Sequence, residues 1–227
     1  DTTADRWEIP RDEMRLWVLV HELAAHAILG VSHVARRLDE LTIDFATAFR
    51  LDTPRLLEAF GDVNDFSQLA QLAEQFNDPS QLFSLMRTGA HDLLVPQLEA
   101  LVAVVLGAID HVVGQVCGPL VPHHEKIRRR MAERLAEDTQ ADRFTERLLG
   151  MEATEATIER GRRFVAGVID RVGDEGFGRL WADELDLPTP AEVDAPGLWL
   201  ARIGLDPTMG EIVTEIPDDL SGLDDLD

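Results

Sequence analysis

The 227-residue chain is poor in several things, and each shortage excludes a class of protein. It has a single cysteine, Cys117. No intramolecular disulfide framework can form, so a reducing compartment is expected, with the cytoplasm as the location. It lacks any surplus of basic residues, with 21 Lys and Arg against 43 Asp and Glu and a net charge of −22. Nothing is available to displace counterions from a phosphate backbone, so nucleic acid is excluded as a partner. The sequence also lacks a Walker loop, a dinucleotide fingerprint and a Gly-x-Ser-x-Gly elbow. Its first ten residues, DTTADRWEIP, have neither a basic start nor an apolar run, so no signal peptide is expected there. They include no initiator Met either, which is compatible with a fragment or a processed chain.

What the chain does have is helical periodicity. Apolar residues make up 45 % and charged residues 28 %, ordinary for a globular protein able to bury one core. Their spacing is helical rather than alternating, which makes the fold class mainly α. Pro10 followed by Arg-Asp-Glu starts a helix expected over Arg11 to Leu29, with Gly30 as its stop. Val34, Leu38, Leu41, Phe45 and Phe49 form the apolar stripe of a second helix. Thr53-Pro54 and the stretch NDFSQLAQLAEQFND predict two more, and His91-Asp92 is expected to open another. QLEALVAVVLGAIDHVVGQVC, from Gln97 to Cys117, is the longest apolar run. It is long enough to cross a membrane, but Glu99, Asp110, His111 and Gln115 would all need partners in lipid, so a buried core helix is expected instead. HHEKIRRRMAERL, ADRFTERLLGME and a segment from Glu155 to Val172 predict amphipathic helices. Repeated prolines in LPTPAEVDAPGLW then suggest a looped C-terminal wrap. With no internal repeat and no Gly-Ser linker, residues 1–210 read as one domain and 211–227 as an acidic, mobile tail suited to docking a protein partner.

The first helix, LWVLVHELAAHAILG, poses the functional question. His21 and Glu22 open a His-Glu-x-x-His zinc signature, yet Ala25 fills the second histidine's slot and His26 comes one residue late. Residues four apart on a helix converge on one ion; residues five apart point about 140° away from each other. Only a π-bulge would bring His21 and His26 together. The helix is apolar on nearly every side, so His21, Glu22 and His26 are expected to be enclosed and to need partners. The apolar helix carrying Asp110 and His111 poses the same problem. Two readings stay open: pairs such as Asp110–His21 or Glu22–His111 that stitch two helices, or a functional site built from the same residues.

The stretches RLWVLVHELAAHAILGVSHV, LEALVAVVLGAIDHVV and RFTERLLGME resemble the bacterial zincin-like hydrolases, regarded as zinc-dependent metalloproteases, one subgroup of which is associated with deazaflavin coenzyme biosynthesis. The resemblance runs from about Trp7 to Leu205, and family members generally carry a further N-terminal region. It implies a zincin-like helical domain with buried apolar helices around a polar cleft. By the same resemblance His21 stands at the first metal ligand, Glu22 at the general base, Ala25 at the second ligand and His26 at an extra histidine. Leu106 falls where the family has an acidic third ligand, and Asp110 at an acid that would orient His21. A zincin needs three protein ligands, a metal-bound water and a carboxylate base. Two of the three ligands are replaced here, so a degenerate motif with weak or no zinc hydrolysis is expected, and no cofactor is favoured over zinc.

If activity persists, Glu22 would be the catalytic base and His21, His26 and Asp110, or else His111, the metal ligands. The alternative is a non-catalytic binding or structural module holding a peptide or small molecule in the cleft. Other histidines carry less. His33 misses the metzincin spacing by one residue, and His123-His124 read as solvent-facing at a helix start. EKIRRR reads as a solvated helix face paired with acids, and Cys117 as a small core residue.

Overall fold

A computed structural model describes residues 2–48, 89–136 and 155–205. The helices expected from Thr53-Pro54, NDFSQLAQLAEQFND and ADRFTERLLGME, and the acidic tail 211–227, lie outside the described residues. Those described form eight α-helices and two 3-10 turns, with no strand among them. In chain order the helices are α1 (Thr2–Arg6), α2 (Arg11–Leu29), α3 (Ser32–Ala48), α4 (Gly89–Cys117), α5 (His124–Ala136), α6 (Glu155–Phe177), α7 (Pro190–Asp194) and α8 (Pro196–Arg202).

The apolar run is the central helix. Leu98, Leu101, Val104, Val105, Ala108 and Ile109 on α4 are all buried, and α2, α3 and α6 pack around it. By length and composition α4 could span a membrane, yet its most apolar stretch is 56 % buried within the protein itself. The helix begins at Gly89, two turns before the expected Gln97, and takes Pro96 into its interior. Packing overrides the proline: His91, fully buried, stands edge-on to Phe45 of α3 with ring centroids 4.8 Å apart, which anchors the early turns.

Helices α4 and α6 approach backbone to backbone. A methyl group on Gly107 would lie 2.3 Å from the backbone of Gly161, and one on Gly161 would lie 1.8 Å from the carbonyl oxygen of Ala103. Only glycine at both positions lets these backbones touch. Near its C-terminal end α6 turns sharply at Gly173, whose φ of +68° is left-handed.

The C-terminal wrap is more helical than its prolines suggested. Pro190 and Pro196 each sit in the first turn of a short helix, where a missing N–H costs nothing. Thr189 and Glu192 form a reciprocal capping box at α7. Trp199, fully buried, donates its indole N–H to the carbonyl of Asp186 and meets Phe164 of α6 edge-on. Arg202 grips the Glu192 carboxylate through Nε at 2.6 Å and Nη2 at 3.1 Å. Burial pushes the Glu192 carboxyl up, but the hydrogen bonds from Arg202 and Thr189 outweigh it and leave the group more acidic than usual.

Two predictions follow from this packing. Gly161→Ala should destabilise the protein by about 3 kcal/mol through overpacking, whereas Gly114→Ala on α4, where nothing lies within 4 Å, should be neutral or stabilising by about 1 kcal/mol. Thermal unfolding of both variants measures the contrast. Glu192→Gln should destabilise at neutral pH by about 2 kcal/mol. Because the folded-state pKa is depressed, that contribution is present above the ordinary glutamate range and lost as pH falls through and below it. Wild type and variant should therefore converge in urea denaturation at acidic pH.

Candidate functional site

Among the described residues the signature helix is not enclosed. Its buried residues are Met14, Trp17, Ala24 and Ile28, which form a stripe facing α4, while Leu16, Val18, Leu19, Leu23 and Leu29 are exposed. Apolar composition all round α2 suggested enclosure; the described neighbours cover only one face. The Glu22 side chain is 72 % exposed, so it needs no buried partner. Its Oε1 lies 3.5 Å from His21 Nδ1. His21 is half-buried, its ring stacked on Trp17 at a centroid distance of 5.3 Å and 19° between planes. His26 is exposed. Because α2 is α-helical throughout, with no π-bulge, His26 points about 140° away from His21. Ala25 packs half-buried against the core.

Asp110 does not meet His21. Arg162 of α6 holds it in a bidentate pair, Nε to Oδ2 and Nη2 to Oδ1, both at 2.7 Å. Arg128 of α5 adds a longer contact, Nη1 to Oδ2 at 3.3 Å. The hydrogen bond to Asp110 raises the Arg162 guanidinium above its ordinary pKa, with burial opposing it. A planar fork of donors matches a carboxylate better than an imidazole does, which is why arginine takes this place. Arg162 follows directly on Gly161, so the glycine crossing delivers it to Asp110, three residues beyond Gly107. His111 does not meet Glu22 either. Its Nε2 lies 2.9 Å from Asp174, just past the Gly173 turn, and its ring stands edge-on to Phe177.

His124, the first residue of α5, also differs from expectation, whereas His123 in the turn before it stays partly exposed. His124 is buried and accepts a hydrogen bond at Nδ1 from Trp17 Nε1, 3.2 Å away. His123 pairs with Glu13 through its backbone N–H and its Nδ1. Together they fasten α5 to α2. Most of the basic run does face solvent and pairs with acids such as Glu133, but Arg128 turns inward. Cys117 is buried, and burial pushes its thiol up, as suits a core residue.

These contacts surround a pocket of about 90 Å³ between α2, α4, α5 and α6, walled by Trp17, His21, Leu106, Asp110, Arg128 and Arg162. Three sequence candidates thus share one cavity: His21, Asp110 and the Leu106 position. Glu22, His26 and His111 are not in its wall. Sequence reasoning read Arg128 as part of a solvated basic run and missed Arg162, because their partner Asp110 lies 18 and 52 residues away. A larger groove of about 600 Å³ runs between α3, α4 and the C-terminal wrap, past Arg37, Asp92, Gln97 and Glu184. None of the signature residues lines it.

The described residues of this pocket do not by themselves make up a zinc ligand set. A structural or catalytic zinc site takes at least three nitrogen, sulfur or carboxylate ligands. The pocket wall offers His21 and Asp110, and the latter's oxygens are taken by guanidinium groups. Among the described residues no three of His, Cys, Asp and Glu stand close enough to hold a metal ion. The two arginines add positive charge that opposes a dication. Arg162→Met should destabilise the fold by about 2 kcal/mol, because it removes the bidentate partner of a mostly buried carboxylate. A double-mutant cycle with Asp110→Asn, read by urea denaturation, should give a coupling of about 1–2 kcal/mol.

The sequence profile of the zincin-like metallopeptidases matches residues 1–200. A solved structure described as a putative hydrolase with a novel fold, from Chloroflexus aurantiacus, superposes with a TM-score of 0.53 at 20 % identity, over 88 % of this chain. The chain spans 55 % of that structure's length. No curated protein sequence matches. The profile match over most of the chain leads to one assignment: this chain belongs to the zincin-like metallopeptidase family.

Proposed function

We propose that this chain is a degenerate zincin-like protein in which the family scaffold is kept, zinc-dependent amide or ester hydrolysis is lost, and the pocket beside His21 serves for binding. The observation that carries this reading is the convergence of Arg128 and Arg162 on Asp110 inside a cavity that His21 and Leu106 also line. Zincin chemistry needs a metal-bound water next to a carboxylate that takes its proton. Here the ligand slots carry alanine and leucine, the carboxylate of Glu22 faces solvent, and the pocket's charged wall is mainly cationic.

Elemental analysis of the purified protein should find zinc at well below one equivalent, with no zinc-stimulated cleavage of peptide or ester substrates. Ala25→His combined with Leu106→Glu should raise zinc affinity by tenfold or more, because it restores two ligands to the original scaffold. Wild-type protein carrying close to one zinc, with turnover abolished by Glu22→Gln at unchanged metal content, would overturn the reading.

A further inference from the structure

The pocket that fails to suit a cation has the chemistry of an anion site, and this inference rests on the metal-free reading of the pocket. Its wall carries two guanidinium groups, Arg128 and Arg162, against one carboxylate, Asp110, so one positive charge is in excess. That excess sits in a protein with a net charge of −22. Glu125 and Glu159 touch the same arginines from outside, but their side chains are 75 % and 56 % exposed and water screens them. The imidazole of His21 adds a third nitrogen-bearing group to the wall.

The two arginines are not held alike. Arg162 spends Nε and Nη2 on Asp110 in a closed pair. Arg128 touches Asp110 only once, at 3.3 Å, and reaches Glu125 through Nε at 3.2 Å. It is 36 % exposed against 22 % for Arg162. Arg128 is therefore the group able to turn onto an incoming anion while Arg162 keeps Asp110 satisfied. Beyond the charged end the walls are aliphatic: Leu106, Ile109, Val113, Met131 and Ile158, with Ala132 beside them. A bare phosphate or sulfate would leave that surface wet. About 90 Å³ is less than the roughly 150 Å³ cavity that accommodates benzene, so the apolar part of the ligand is limited to a few carbons.

We propose that this pocket binds a carboxylate bearing a short, branched aliphatic group, with the carboxylate on Arg128 and His21 and the alkyl group among Leu106, Met131 and Ile158. Such chemistry occurs in a free short-chain acid and in the terminal leucine or valine of a peptide. Isothermal titration with isovalerate, run with and without EDTA, tests it. Saturable binding with a dissociation constant on the order of 1 mM, unchanged by EDTA, is expected. Isovaleramide, which has the same shape without the charge, should bind at least tenfold more weakly. Arg128→Gln should weaken isovalerate binding about tenfold at unchanged melting temperature. Ala132→Leu, which fills the aliphatic end and leaves every charge in place, should abolish binding. N-acetyl-leucine compared with its amide then separates the two sources: a carboxylate-dependent signal there points to peptide termini, and its absence to a free acid. The proposal fails if zinc-free protein shows no saturable isovalerate binding, or if phosphate binds equally well and Ala132→Leu has no effect. Those outcomes leave the loss of the zinc site standing. Isovalerate binding that EDTA abolishes would instead overturn both, since a metal would then be the anion's partner.

Discussion

The arrangement of the molecule depends on two helices that touch backbone to backbone. Gly107 on α4 and Gly161 on α6 leave no room for a side chain between them, and Ala103 completes the small surface across which they cross. Helices normally lie 8–10 Å apart because their side chains interdigitate. Removing the side chains draws the axes together and shortens the reach from one helix to the flank of the other. Arg162 and Asp110, each within a turn of the crossing, can therefore form a two-bond ion pair on a carboxylate that is only 20 % exposed. Packing and electrostatics are not separate contributions here, since the crossing makes the ion pair possible and the ion pair holds the register of the crossing.

Basic residues are scarce in this acidic chain, and the described arginines are used largely as tertiary fasteners. Arg160 holds Asp194 and the carbonyl of Pro190, Arg202 holds Glu192, and Arg179 holds Asp186. These contacts bind the C-terminal wrap to itself and to α6. Arginine suits the task because its planar fork can satisfy a carboxylate and a carbonyl at once. In the pocket beside His21 two arginines meet one half-buried acid, and the excess positive charge of its wall follows from that ratio. The proposed loss of hydrolysis and the proposed taste for carboxylates both rest on this local balance of charge.

The signature helix illustrates how composition misleads about enclosure. A helix with few polar residues is usually surrounded, yet here the described neighbours cover only the stripe through Met14, Trp17, Ala24 and Ile28. Glu22 then lies in water instead of in a cleft, and His21 keeps its place through stacking on Trp17. Trp17 in turn donates to His124, so one aromatic side chain links the histidine at the pocket rim to the helix that supplies Arg128. Nothing in the spacing of α2 announces this link, because it spans more than a hundred residues.

Local order was legible because it is written in neighbours. Pro10 and Gly30 set the ends of α2, the stripe at Val34, Leu41 and Phe45 defined α3, and the apolar run from Gln97 marked the core helix. Helical periodicity fixed the class as mainly α. The one-residue displacement of His26 also followed from sequence, since 3.6 residues per turn decides which side chains share a face. The partner of Asp110, the exposure of Glu22 and the burial of His124 could not be read this way. Each depends on which face of one helix meets which face of another, and that is set by the glycine crossing and by competition among carboxylates for a few guanidinium groups. A sequence states which groups are available within a turn. Only the assembled helices decide which distant charges come within hydrogen-bonding distance, because that choice minimises the desolvation of the whole set and not of any one pair.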